Sequence, residues 1–173
     1  CTGPAETFTI TVNPTGQVDA IDSQILCNAD ETAAIAFSTE NTGGTTTYAW
    51  TNDTPSIGLA SSGNGDIGSF NVVNNGNEPV TATVVVTPSF EGCTGPTETF
   101  TITVNPTAEM NDPEDMVVCN AEVTDAVEFT TDNTGGTTTY TWTNDTPAIG
   151  LAATGSGDLP SFTAINTGTE PIV

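Results

Sequence analysis

The octapeptide ETFTITVN occurs twice in this chain, at residues 6–13 and at residues 98–105. It sits inside a longer echo, since CTGPAETFTITVNPT opens the chain and CTGPTETFTITVNPT spans 93–107. Sliding the sequence by 92 residues keeps the match going: NTGGTTTYAWTNDTPSIGLA at 41–60 returns as NTGGTTTYTWTNDTPAIGLA at 133–152. About 48 of the 81 superimposed positions are identical, which makes the chain a tandem array. A repeat of this kind constrains the fold more than any local propensity, because every copy must bury the same faces in the same way. A 92-residue unit is close to the roughly 100 residues of a two-sheet sandwich domain.

The phrase ETFTITVNP reads as a last strand, because a turn-rich linker follows it both times. Residues 1–13 are therefore expected to be the tail of a preceding repeat, 14–105 a complete repeat, and 106–173 a repeat lacking its final strands. Ile172 and Val173 align with Val80 and Thr81, so the counterparts of 82–105, about 24 residues, are missing from it.

The strands are written in the alternation. In TFTITV at 99–104, Phe100, Ile102 and Val104 fall on one face and Thr99, Thr101 and Thr103 on the other. Period two is the pattern of a half-buried strand, and threonine suits its outer face. Phe8, Ile10 and Val12 repeat the arrangement. VTATVVVT at 80–87 points Val80, Ala82, Val84 and Val86 inward; AIAF at 34–37 offers Ile35 and Phe37. TTYAW at 46–50 offers Tyr48 and Trp50, and GSFNVV at 68–73 offers Phe70 and Val72. Clusters such as NTGG, SSGNGD and NNGNEP separate these runs with residues that accept turn geometry. No segment has a helical period. The expected class is all-β, with tandem immunoglobulin-like sandwiches repeating every 92 residues and Trp50 and Trp142 as core plugs.

Charge removes whole classes of function. The chain has no Lys, Arg or His and 22 Asp plus Glu, a net charge of −22. Nothing here neutralises phosphates, so nucleic acid is excluded as a partner, and an anionic membrane surface repels the chain. A histidine base, a lysine Schiff base, an arginine clamp and lysine–asparagine crosslinks are all unavailable. Acidic residues fall mostly in turns and linkers, where they read as solvated charge and not as a glycosidase pair. The chain is not expected to be an enzyme. No apolar run is long enough for a membrane helix.

VVCN, TTTYTWTNDTPAIGLAATGSGDLPSFTAIN and GCTGPTETFTITVNP, in this order, resemble the PKD-like, Ig-like repeats of very large surface proteins of Bacteroidota. Gliding Flavobacteria carry such repeats in giant acidic adhesins exported by the type IX pathway. The resemblance covers essentially the whole chain. It implies an extracellular, cell-surface filament or adhesin stalk, of the gliding type, whose partners are adjacent repeats of the same chain and neighbouring filament chains. The complete lack of basic residues departs from the family pattern.

Four cysteines sit one period apart as Cys1/Cys93 and Cys27/Cys119. An exported protein oxidises such pairs, and Cys27–Cys93 is the expected bond within the complete repeat, worth roughly 4 kcal/mol in the chain-entropy model. In simple Ig topology, however, these positions lie at opposite ends of the sandwich, beyond the roughly 7 Å that a disulfide bridges. Bonds between adjacent repeats, or free thiols, remain as alternatives. NDT forms sequons at Asn52 and Asn144, which are otherwise ordinary turn residues. The repeat junctions gather hard oxygen ligands: Asp19 and Asp22 in one, Glu109, Asp112, Glu114 and Asp115 in the other. Calcium bound by Asp19, Asp22, Asp112, Glu114 and Asp115 would stiffen the array; a solvated, self-repelling linker is the competing reading.

The expected role is an extended spacer of stacked sandwiches that trypsin cannot cut. The competing readings are a repeat that itself grips polysaccharide through its Asp66 and Asp158 loops, or a filament subunit assembled by strand donation.

Overall fold

The computed structural model describes residues 1–173, which divide into two compact units, Cys1–Pro106 and Thr107–Val173. The chain is all-β and sandwich-like, with no α-helix.

In the first unit the longest run of alternation forms the longest strand, β4 (Val80–Phe90). With β1 (Gln24–Cys27), β2 (Thr46–Asn52), β3 (Ser62–Asn64), β5 (Cys93–Thr94) and β6 (Glu98–Asn105) it makes one sheet in the order β1-β6-β4-β2-β3, with β5 folding back on β4. The β4–β5 turn has two residues, Glu91 at φ 46° and Gly92 at φ 85°. Two consecutive positive φ values match the right-handed twist of the flanking strands. Glu91 is held there because its carboxylate accepts the Thr45 N–H at 2.6 Å. ETFTITVN at 98–105 is β6, a central strand: antiparallel to β4 through Val80↔Val104 to Val86↔Glu98, and parallel to β1 through Gln24↔Ile102 to Cys27↔Asn105.

A second layer closes over this sheet. Residues 29–37 and 66–73 run side by side, joined at the bridges Glu31↔Asn71 and Ile35↔Ile67. The expected strands at 34–37 and 68–73 are thus reduced to isolated bridges. Side chains take donors that a continuous ladder would use: Thr32 Oγ1 accepts Phe70 N–H at 3.0 Å, and Asp66 accepts Phe37 N–H at 2.9 Å.

Between the layers, Trp50, Ala82, Val84, Val86, Phe100, Ile102 and Val104 of the sheet meet Ile35, Ile57, Leu59, Ile67 and Val72. Gly63 on β3 lets the Trp50 ring lie flat against the backbone, since a Cβ there would land on the indole. Trp50 Nε1 donates to Gly65 O at 3.1 Å, satisfying its one polar atom.

The second unit forms a two-stranded sheet, β7 (Thr141–Thr143) with β8 (Thr154–Ser156), and the bridges Val123↔Thr163 and Val127↔Leu159. Its short 3-10 turn at Pro147–Ile149 ends on Gly150 at φ 103°, as Pro55–Ile57 ends on Gly58 at φ 103°. Its apolar side chains are less covered than their counterparts: Trp142, Ile149 and Leu151 are half-buried where Trp50, Ile57 and Leu59 are buried, and Val118 and Ile172 are exposed where Leu26 and Val80 are half-buried. The physical reason is direct, because in the first unit β4 and β6 supply half of the core.

Residues 1–13 contain no strand. The expected alternation of Phe8, Ile10 and Val12 is present in sequence but finds no sheet to bury it.

Candidate functional site

Each candidate residue has a definite place, and most are already occupied by the fold. Asn52, expected as a glycan acceptor, is buried. Its Nδ2 donates to Leu59 O at 3.0 Å and Ala60 O at 3.3 Å, while its Oδ1 accepts Thr54 N–H at 3.0 Å. Asn144 does the same with Leu151 O at 3.1 Å and Thr146 N–H at 3.0 Å. A glycan needs that amide nitrogen in solvent, so both sequons are corrected to turn clamps that pin the segment after the tryptophan.

The carboxylates proposed as calcium ligands are not gathered. No three acidic or thiol groups approach one another as a metal would require. Asp19 instead clips the start of the repeat to the second layer, accepting the Ser38 hydroxyl at 2.6 Å beside the Asp19 N–H to Ser38 O bond at 3.0 Å. In the second unit Asn111 stands at this position and reverses the polarity, donating from Nδ2 to Thr130 Oγ1 at 3.1 Å while Asn111 N–H bonds Thr130 O at 2.9 Å. A residue that trades acceptor for donor across one contact is a clip, not a metal ligand. Asp22, Asp112, Glu114 and Asp115 are exposed. The neighbouring cleft, about 590 Å³ between residues 19–26 and 33–38, has no aromatic side chain in its lining.

Cys27 and Cys93 are both free thiols. Cys27 faces Asn105 at the end of β1, beside the Val80 end of β4, whereas Cys93 faces Phe90 at the other end of that strand. Ten residues of strand at about 3.4 Å each separate those ends, far beyond disulfide reach. The bond expected within the repeat does not form.

The loop aspartates considered as ligand grips are also engaged: Asp66 accepts Phe37 N–H, and Asp158 accepts Phe129 N–H at 3.0 Å. Phe37 packs on Tyr48 with ring centroids 5.3 Å apart, and Phe129 on Tyr140 at 5.6 Å. Burial raises the Tyr48 phenol above its ordinary pKa, the Thr39 hydrogen bond opposing it and the charges of Asp19 and Asp66 adding to it. Asp53 lies lower than an ordinary aspartate, chiefly because Thr83 N–H donates to it at 2.7 Å and then because the Thr54 hydroxyl does so at 2.8 Å. Phe8 is the one exposed aromatic ring.

What the chain leaves free is backbone and sheet. The outer face of β2, β4 and β6 presents Thr47, Thr51, Thr81, Thr83, Thr87, Thr99, Thr101 and Thr103, as the alternation implies, with Asp53 beside it on Thr83. No helix is long and apolar enough to cross a membrane. No protein-family model matches the chain, and no curated protein is similar to it.

Proposed function

We propose that this chain is a run of Ig-like, PKD-like sandwich repeats with a period of 92 residues, serving as the extended stalk of an extracellular bacterial surface filament or adhesin. The observation that carries this reading is where the chain comes in and goes out. Gly16 N–H bonds Cys93 O at 2.9 Å, placing the start of the repeat at the Phe90 end of β4. Asn105 leaves at the Val80 end, beside Cys27. A unit crossed from end to end adds about 35 Å of reach per copy and can be strung head to tail. Side chains that would do chemistry are spent on internal clamps, which supports a spacer and no reaction. The uniform negative charge keeps parallel fibres apart.

Two measurements test it. Antibody raised against residues 14–105 should label intact source cells; labelling only after permeabilisation would overturn the extracellular placement. Pulling on the chain should give a mechanical step of about 28 nm for the first unit, its 92 residues extended at ~3.5 Å each less the folded length. A step much shorter would mean a different repeat unit.

A second reading follows from the threonine face. A hydroxyl-and-methyl surface with Asp53 at its margin, on so acidic a chain, suits a flat, neutral polysaccharide. Retention on insoluble glucan that Thr83→Asp and Thr101→Asp abolish would favour it over the pure spacer.

A further inference from the structure

The main sheet of the first unit holds on its outer face a cleft of about 590 Å³ whose wall has no carboxylate. Thr47, Ala49, Asn64, Thr87, Ser89 and Thr94 line it, from β2, β3, β4 and β5. By contrast, Asp19 and Asp22 edge the cleft at 19–38, and Glu78 edges the one at 73–80. The register explains the shape. Ala49 faces Asn64 on one side and Thr87 on the other, while Thr47 faces Ser89. Along the outward row of β2, Thr47 and Thr51 carry γ atoms and Ala49 does not, so the floor drops at Ala49. The second copy of the repeat reads TTTYTW and has Thr141 at this position.

We propose that this cleft is a subsite for an uncharged glucan, seating a sugar ring on Ala49 with the ring's hydroxyls against the wall. The inference rests on the polysaccharide reading above and adds where on the sheet the sugar lies. Charge is the first observation that selects this occupant. The chain has no cation to hold an anionic ligand, and a second copy of the chain would bring its own charge of −22. Unspent hydrogen-bonding capacity is the second. Asn28, Asn41, Asn52, Asn71 and Asn74 all engage their side chains with backbone of the fold. Asn64 makes no such bond, nor do the hydroxyls of Thr87, Ser89 and Thr94. Thr46, which also borders the cleft, has a buried Oγ1 with no partner. An amide offers two donors and an acceptor, and each hydroxyl both donates and accepts, which is the complement of a sugar's own hydroxyls.

Size agrees with this occupant. The row Asn64–Ala49–Thr87 crosses three strands, about 10 Å at ~4.8 Å per strand, which is the reach of a disaccharide. The methyls of Ala49, Thr47 and Thr87 meet the ring's C–H face, and the polar groups fix its orientation. The one ring in the wall, Tyr48, is packed on Phe37 and gives the sugar no stacking platform. The site is therefore weak, with a Kd on the order of 1 mM. A threonine in place of Ala49 fills the depression, so the first copy of the repeat has the subsite and the second, with Thr141, does not.

Titration of the 173-residue chain with cellohexaose, a soluble neutral glucan, followed by heteronuclear NMR up to about 10 mM sugar, tests it. Amide shifts should concentrate at Thr47, Ala49, Asn64, Thr87, Ser89 and Thr94 and saturate with a Kd on the order of 1 mM. Ala49→Thr gives the first copy what the second already has, at an exposed strand position where threonine is favoured, so folding is spared. It should weaken binding about tenfold or more, and Asn64→Ala should weaken it as well. An oligogalacturonate of the same length, with a carboxylate on every ring, should give no saturable shift. An equal response to that charged sugar overturns the proposal. Shifts that centre on Thr83 and Thr101 and survive Ala49→Thr also overturn it, and leave the polysaccharide reading standing. No saturable shift, from a chain still retained on insoluble glucan, does the same; loss of retention too removes both.

Discussion

Phe8 and Phe100 stand at the same place in the same octapeptide, and the structure assigns them opposite worth. Phe100 is 2 % exposed in the middle of β6, against Val84 in the register. A buried aromatic covers about 150–250 Å²; truncation to alanine gives up most of it, about 3 kcal/mol at 25 cal/mol/Å², and leaves a cavity besides. Phe100→Ala should therefore destabilise the first unit by about 3–5 kcal/mol, a large part of what a domain of this size has. Phe8→Ala should change stability by less than about 0.5 kcal/mol, as for any open surface position. Urea unfolding followed by Trp50 fluorescence, in a Trp142→Phe background so that one unit reports, separates the two. With a slope of about 1–3 kcal/mol/M, the Phe100→Ala midpoint should fall by about 2 M. The measurement belongs at about 1 µM, where copies stay apart. Equal losses from both substitutions would refute the reasoning, because residues 6–13 would then be sharing the β6 position. A loss below about 1 kcal/mol at Phe100 would refute the packing itself.

Asn74→Ala should cost about 2–3 kcal/mol in the same assay, since it strands the buried carbonyl of Val104 that its amide now serves; Asn166→Ala should cost clearly less. Asp53 titrates below its ordinary value in the folded state, so its contribution is present above the unfolded aspartate pKa and is lost as pH falls through the depressed one. Asp53→Asn should flatten that acid limb of a stability-versus-pH curve and leave the neutral region alone. Calcium should raise the melting temperature no more than magnesium at equal concentration, while sodium chloride raises it by screening the 22 carboxylates; a calcium-specific rise below millimolar would undo the assignment of Asp19 as a clip. Cys27→Ser and Cys93→Ser should leave melting unchanged under oxidising conditions, with both thiols reactive in the folded wild type.

Much of the fold was legible because alternation and burial are the same fact seen twice. VTATVVVT, TTYAW and TFTITV become β4, β2 and β6, with the expected side chains inward. AIAF and GSFNVV carry the same signal but are not strands, because Thr32 and Asp66 satisfy the donors locally and interrupt the ladder. Period alone reports which face is buried, not how the backbone is paired. The candidate sites misled for a related reason. Asn52, Asp19 and Asp66 look like ligands or acceptors in one dimension, and only the contact across 7, 19 or 29 residues shows each amide or carboxylate already taken. The cysteines needed the register of β1 on β6, which no spacing encodes.

The octapeptide carries the sharper lesson about repeats. Identical sequence at 6–13 and 98–105 has identical propensity, yet one copy is an ordered central strand and the other bare chain. The copy at 98–105 lies between β1 and β4, which pair with it on both sides. A strand with three apolar side chains has no stability of its own; it is stabilised by β1 and β4, and they by it. Burial of this octapeptide is therefore a property of its neighbours and not of its eight letters alone.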